Sequence, residues 1–353
     1  MRMINVNIMK EEVLPSFDEL SKEIPLSEPA QNTIFNGRNS VIKHLQGKTE
    51  SKEILVIVGP CSVHNTDEAY EYAVRLSDLK KKLGKHITIL MRVCGDKPRT
   101  RRGWGGFMKD PHLDGTADVT FGLREMRKLM LRINELGVPV ATEALNPIAF
   151  NIISDLVSYA WIGARTISDP EKRALATGIS VPIGLKNPDQ GKLSVAIDAI
   201  DCVGQPGIFI GTNEDGRAAK IITAGNPYPH LILRGSKDID GNNHPNYDSD
   251  SIKKSCTELA KEGFINRVIV DCSHGNCNGD YLNQIKVAKS LKDQINGGET
   301  GIAGLMLESY FKGGKQDSKK LGTPDGASSV LPEISVTDAC LSWEDTETLI
   351  LGL

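Results

Sequence analysis

The chain has no apolar run long enough to span a membrane, and its opening segment, MRMINVNIMKEEVLPSF, carries no signal-peptide cleavage pattern. The cytoplasm is the expected location. No excess of one charge is present either: 42 Lys and Arg face 45 Asp and Glu, a formal net charge of −3, which argues against a nucleic-acid or anionic-membrane partner. Seven cysteines (Cys61, Cys94, Cys202, Cys256, Cys272, Cys277 and Cys340) are an odd set without scaffold spacing, so reduced thiols are expected rather than a disulfide framework. No G-x-G-x-x-G follows a first strand, and neither GxxxxGK[ST] nor G-x-S-x-G occurs. Those absences remove nicotinamide, P-loop and α/β-hydrolase readings. Internal repeats and low-complexity tracts are missing as well.

What the chain does contain is a series of short β-rich apolar runs closed by glycine or polar residues: ILVIVGPCS, ITILMRV, PVATEAL, YAWIGART, VPIGLKN, GIFIGT, HLILRG, RVIVDCSH and GLMLES. Runs that are apolar at successive positions suit strands buried on both faces of a parallel sheet. Helical patterns such as TDEAYEYAVRLSDLKKKLG and FGLREMRKLMLRINELG separate most of them, which implies right-handed βαβ units. Nine runs are one too many for an eight-stranded barrel. GIFIGT, however, continues through NEDGR into AAKIIT with Asp215-Gly216 at the turn, the pattern of an antiparallel hairpin. The expected fold is therefore an α/β (β/α)8 TIM barrel with an N-terminal helical extension and an extra β-hairpin before the seventh apolar run. The extension is expected as a helix in LSEPAQNTIFNGRNSVIKHLQGK, with Ser27 as N-cap, Pro29 in the first turn and Gly47 just past the end. Residues 1–50 are assigned to an arm and helix for oligomer contacts or regulation, and residues 51–353 to a catalytic barrel.

Charged or reactive residues close the eight strands: Cys61, Arg92 with Lys97, Glu143, Arg165, Lys186, Arg234, His274 and Glu308. In a closed barrel these ends face one another across one mouth, whereas an open doubly wound sheet gathers its ligand at a switch point. The densest segment is 91-MRVCGDKPRTRRGWGG-106. Arg92, Lys97, Arg99, Arg165, Lys186 and Arg234 make six cations, most beside apolar strand ends where burial without an anion is costly. Few carboxylates share those ends, so internal salt bridges are not expected to satisfy all six. A ligand with at least two anionic groups, one of them a phosphate, is the inference.

Cys61, His274, Glu308 and Asp338 form a mixed soft and hard donor set that suits Mn2+, Fe2+, Co2+ or Zn2+ rather than Mg2+ or Ca2+. No local spacing such as CxxC marks them, each alone also reads as a core residue, and His64, Cys272 and Cys277 are competing donors. The spacing leaves that site open. Trp104, Trp161 and Trp343 read as packing residues, and GSKDIDGNNHPNYDSD and GGKQDSKKLGTPDGASS as polar loops at the mouth, candidate lids.

The ordered motifs GPCS (59–62), MRV (91–93), KPRT (97–100), GWxGxxxDPHxD (103–114), IGART (162–166), KN (186–187), LILRG (231–235), DxSH (271–274), LES (307–309) and TDACxxWEDT (337–346) resemble type I 3-deoxy-D-arabino-heptulosonate-7-phosphate (DAHP) synthase. The resemblance runs from the N-terminal helix almost to Leu353. It implies a transferase, 3-deoxy-7-phosphoheptulonate synthase, which condenses phosphoenolpyruvate with D-erythrose 4-phosphate and opens the shikimate route to aromatic amino acids. It further implies that Cys61, His274, Glu308 and Asp338 hold a divalent metal. Arg92, Arg165, Lys186 and Arg234 would grip phosphoenolpyruvate, with Glu143 and Ala164 beside them. Lys97 would be the general acid, and Pro98, Arg99 and Thr100 would receive the aldose phosphate. Relatives are commonly homodimers or homotetramers inhibited by an aromatic amino acid. Here 144-ALNPIAFN-151, Ser180 and the hairpin around residues 209–221 would be the place for such an effector.

Departures from the family pattern fall within the site. Cys94-Gly95-Asp96 stands where Tyr-Phe-Glu is usual, Ile167-Ser168-Asp169-Pro170 follows GART, and Trp104-Gly105-Gly106 replaces Trp-Lys-Gly. Lys186-Asn187-Pro188 replaces KNG, Arg234-Gly235-Ser236 replaces RGG and precedes an apparent insertion, and Tyr310 replaces the histidine after LES. Two alternatives follow from these changes: condensation of phosphoenolpyruvate with a different aldehyde, or a non-catalytic ligand-binding homologue.

Overall fold

Runs of Val, Ile and Leu that are apolar on both sides can satisfy their backbone only in a sheet covered on both faces, and that is the arrangement found. The computed structural model describes residues 4–50, 53–84, 86–99 and 103–353. Its helices are α1 (Phe17–Glu23), α2 (Glu28–Leu45), α3 (Thr66–Lys82), α4 (Val119–Glu135), α5 (Pro147–Ile153), α6 (Pro170–Thr177), α7 (Leu193–Gly204), α8 (Ser249–Lys261), α9 (Asn283–Asn296) and α10 (Trp343–Leu351). Its strands are β1 (Ile54–Gly59), β2 (Ile87–Arg92), β3 (Val140–Glu143), β4 (Tyr159–Ile162), β5 (Ile183–Lys186), β6 (Gly207–Thr212), β7 (Ala218–Thr223), β8 (Pro229–Leu233), β9 (Ser236–Lys237), β10 (Asn243–His244), β11 (Val268–Asp271) and β12 (Ile302–Glu308).

Eight of these strands close a parallel barrel in the order β1-β2-β3-β4-β5-β8-β11-β12, with β12 pairing back onto β1. Side chains alternate along each strand. Val56, Val58, Ile89 and Met91 face the surrounding helices, whereas Leu55, Ile57, Leu90, Tyr159, Trp161, Ile232 and Met306 fill the interior. Val41 and Leu45 of α2 join that interior cluster, so the N-terminal helix plugs the barrel end where the strands begin. Burying each contributes about 2 kcal/mol. Gly37 permits the close seating of α2: a Cβ there would meet Pro139 Cβ and Ser158 Oγ, each at 2.6 Å. Arg267 then clips the plug in place, donating to the carbonyls of His44 (2.5 Å), Thr300 (2.8 Å) and Ile302 (2.7 Å).

The sixth apolar run is a decoration, as its pattern indicates. β6 and β7 pair with each other alone, antiparallel, with Phe209 opposite Ile221 and a turn closed by Gly216 at φ 79°. Two details differ from the sequence reading. Ser27 precedes α2 but does not cap it, because its hydroxyl donates instead to Glu135 Oε1 at 2.7 Å. The polar loop after β8 holds a two-residue ladder, β9 with β10, too short to leave a periodicity. Among the described residues no helix is long and apolar enough to cross a membrane.

Candidate active site

Each barrel strand delivers its last residues to the rim opposite α2, and there a single cavity is lined by Cys61, Arg92, Lys97, Pro98, Arg99, Glu143, Ala164, Arg165, Lys186, Arg234, His274, Glu308 and Asp338. Every site residue expected from the sequence lies on this one surface except Thr100, which falls outside the described residues. The sequence did not point to Trp161, Gly163, Asp189 and Thr337, which line the cavity as well.

Internal salt bridges engage three of the six cations, in keeping with the expectation that carboxylates would not satisfy them all. Arg92 meets Glu308 at 3.1 Å, Lys186 meets Asp271 at 2.6 Å, and Arg234 meets Asp189 at 2.6 Å. Asp271 was overlooked because it closes β11 as one acid in a run otherwise apolar. Lys97, Arg99 and Arg165 differ. Lys97 Nζ contacts the Cys61 carbonyl and lies 3.2 Å from its Sγ, Arg99 Nε donates to the Trp104 carbonyl at 2.8 Å, and Arg165 donates to the Pro98 carbonyl at 3.2 Å. Among the described residues six cations thus line the cavity against the four carboxylates of Glu143, Asp189, Glu308 and Asp338, with Asp271 behind Lys186. The balance remains positive.

Trp161 corrects the packing-only reading. Its buried ring has Arg92 Cζ at 5.1 Å and Lys186 Nζ at 5.6 Å from the centroid, so the indole face supports two of the cations. Gly163 is required beside it, since a Cβ would fall 2.3 Å from Glu143 Oε1, an oxygen buried without a partner.

The donor set also assembles. Ligand atoms of Cys61, Glu308 and Asp338 all lie within 4.8 Å of one another, and Cys61 Sγ donates to Asp338 Oδ2 at 3.5 Å. His274 Nε2 stands 4.0 Å from Glu308 Oε1, while its Nδ1 lies 3.0 Å from Asp271 Oδ2. That second contact leaves Nε2 toward the thiol and carboxylates. His274 itself sits in the left-handed region at φ 58°, an unfavourable conformation for a non-glycine residue and of the kind found at functional sites. One soft sulfur, one imidazole and two carboxylates at this spacing fit a divalent transition-metal ion or Zn2+. The competing donors are excluded by position. Cys272 is fully buried in the outer core, Cys277 donates to the His274 carbonyl at 3.2 Å, and His64 packs edge-on to Tyr310, none of them lining the cavity.

Electrostatics follow from burial and neighbours. Burial opposes the Asp271 carboxylate, but His274 and Lys186 outweigh it and hold its pKa well below the usual range. Burial likewise opposes the Lys97 ammonium, yet Cys61, Cys94 and Glu308 outweigh it and hold Lys97 above the ordinary lysine value. Burial and then Glu308 push the Cys61 thiol up, a preference that a divalent cation reverses by taking the thiolate. The segment Cys94-Gly95-Asp96 backs this arrangement. Cys94 belongs to the barrel interior, and a Cβ at Gly95 would meet Met126 Cε at 2.4 Å, so methionine occupies that space. Asp96 Oδ1 accepts from the Lys97 backbone N–H at 2.9 Å and from Lys109 Nζ at 2.7 Å.

Known proteins match this chain along nearly its whole length. The sequence profile of the DAHP synthetase I family matches residues 30–350. The Tyr-sensitive phospho-2-dehydro-3-deoxyheptonate aldolase of Escherichia coli K12 is 40% identical over 346 residues, covering 98% of this chain and 94% of that one. The Trp-sensitive protein of the same name and strain is 39% identical over 332 residues, 94% of this chain and 91% of its own. The solved structure of phospho-2-dehydro-3-deoxyheptonate aldolase from Francisella tularensis SCHU S4 superposes with a TM-score of 0.90 at 36% identity, over 98% of this chain and 97% of that one. With the barrel, the cation-lined mouth and these relatives in agreement, the chain belongs to the DAHP synthetase I family.

Proposed function

We propose that this protein is a DAHP synthase, condensing phosphoenolpyruvate with D-erythrose 4-phosphate to give DAHP and phosphate, the first step of the shikimate pathway. The observation that carries the reading is the convergence, in one cavity, of six cations with Cys61, His274, Glu308 and Asp338. In this reading Arg92, Arg165, Lys186 and Arg234 bind the carboxylate and phosphate of phosphoenolpyruvate, with Glu143 and Ala164 beside them, over the face of Trp161. Pro98, Arg99 and Thr100 receive the aldose phosphate. Cys61, His274, Glu308 and Asp338 would hold Mn2+, Fe2+, Co2+ or Zn2+, and such an ion supplies Lewis acidity at the aldehyde oxygen.

The methylene carbon of phosphoenolpyruvate forms the new bond to the aldehyde carbon. Lys97, held above the ordinary lysine value, gives its proton to the carbonyl oxygen as that bond forms. Water adds to the carbon that bears the phosphate, and the C–O bond breaks to release inorganic phosphate. The fixed guanidinium groups stabilise the charge on both phosphates without reorganising. Phosphate release by the metal-loaded protein, with phosphoenolpyruvate and a panel of aldehydes, tests the assignment. Erythrose 4-phosphate is expected to turn over fastest, and equal or faster turnover of another aldehyde would reassign the acceptor.

A second cavity supports an aromatic amino acid effector; the same reading takes the protein as a cytoplasmic homodimer or homotetramer, with residues 1–50 in its contacts. Pro147, Phe150, Asn151, Ser180, Phe209 and Ile221 line that cavity between α5, α6 and the β6–β7 hairpin, away from the barrel mouth. Two aromatic rings, an amide and a hydroxyl suit a ligand with an apolar ring and a polar end. Titrating Phe, Tyr and Trp into the assay identifies the effector, and no inhibition by any of the three removes this part of the reading.

A further inference from the structure

Three acids pair with cations of the anion site, and they are not equivalent. Glu308 and Asp271, opposite Arg92 and Lys186, have side chains 1% and 0% exposed. The side chain of Asp189, opposite Arg234, is 40% exposed, while that of Arg234 is only 11% exposed. The first two carboxylates are locked into the protein. The third can rotate into solvent and leave its cation in place.

The backbone around Asp189 explains why it nevertheless points at Arg234. Pro188 to Gly191 form a tight turn, with the Gly191 N–H donating to the Pro188 carbonyl at 2.9 Å and Gly191 at φ 77°. The Asp189 carbonyl accepts from the Lys237 N–H at 2.7 Å, and a Cβ on Gly191 would lie 2.7 Å from Ser236. Two segments that depart from the family pattern, the one after Asn187 and the one after Gly235, are therefore a single packed unit over Arg234. The turn is anchored through its main chain, and among the described residues the side chain contributes only the contact to Arg234.

We propose that Asp189 is an affinity-setting residue, an internal counter-ion that neutralises Arg234 while the site is empty and that the anionic group of the incoming ligand must displace. It does not touch the reacting atoms. Its effect is to weaken ground-state binding of phosphoenolpyruvate, the ligand assigned to this site under the proposed function. Because the pair is half in water, the effect is modest and sensitive to salt.

The test is equilibrium binding to the full-length, metal-loaded protein, using phosphoenolpyruvate and, separately, inorganic phosphate as probes, for wild type, Asp189→Asn and Asp189→Ser. Both variants are expected to bind each probe about fivefold more tightly at low salt, the gap closing toward 1 M salt. The KM for phosphoenolpyruvate should fall by more than kcat changes. Binding that is unchanged or weaker in both variants overturns the proposal, and a fall in thermal midpoint together with weaker binding makes Asp189 a structural pin. Wild type that binds phosphate but not phosphoenolpyruvate sinks the assigned substrate, while the comparison with phosphate still decides the role of Asp189.

Discussion

The two ends of the barrel use the same kind of strand and treat charge in opposite ways. At the end closed by α2, Arg267 spends its donors on three backbone carbonyls, and His44 beside it is buried with Nε2 on Thr88 Oγ1 at 3.2 Å. At the mouth, among the described residues, Arg99 and Arg165 each make a single bond to a carbonyl, and Lys97 reaches only the carbonyl and sulfur of Cys61. A cation whose donors are saturated by backbone joins elements together. One whose donors are left open, in a cavity with a positive balance, is ready for a ligand. Strand-end position alone does not separate these roles; donor occupancy does.

That contrast can be broken most severely at the mouth. Cys61→Ala is expected to abolish metal retention and to lower turnover by at least about 10³-fold while the circular dichroism spectrum stays that of wild type. Metal analysis after dialysis, read beside the kinetics, checks it; full metal content in the variant would remove Cys61 from the ligand set. Replacing Arg267 by Met at the opposite end should do the reverse. Three hydrogen bonds at about 1 kcal/mol each imply a loss of about 3 kcal/mol in denaturant unfolding, with the KM for phosphoenolpyruvate unchanged. A shifted KM would mean that the plugged end communicates with the mouth.

The smallest effect is a pH dependence located at the closed end. Burial, and then Arg267, lower the pKa of His44 from 6.5 to about 4. The unfolded chain takes up this proton near pH 6.5 and the folded chain only near pH 4, so the stability due to neutral His44 is complete above 6.5 and is lost as pH falls toward 4. The slope is roughly 1.4 kcal/mol per pH unit within that window. His230, held at about 4 by burial, adds a similar contribution from the barrel interior. Thermal midpoints measured between pH 7 and 4.5 should fall less steeply for His44→Gln than for wild type, and parallel curves would contradict the assignment.

Much of the fold was legible because it rests on local patterns. Apolar runs, helical periodicity and the Asp215-Gly216 turn identify eight barrel strands and one hairpin, and each strand's closing residue follows from where its run stops. Ser27 shows the limit of such signals: a serine at a helix start was drawn to Glu135, 108 positions away. The lining cations and the donor set are determined in the same local way, as residue types at strand ends. Which carboxylate each cation meets was decided only by tertiary structure, since Lys186 and Asp271 lie 85 positions apart and Arg234 and Asp189 lie 45. So was the face on which each donor falls, which sends Cys272 into the outer core and gathers Cys61 and Asp338 across 277 positions. Trp161 is the plainest case: an aromatic residue in an apolar run has the same signature whether it packs in the core or carries two cations on its face. The physical reason is that hydrophobic periodicity is a property of one segment, whereas ion pairing and ligand geometry depend on distances between segments, and closure of the barrel sets those.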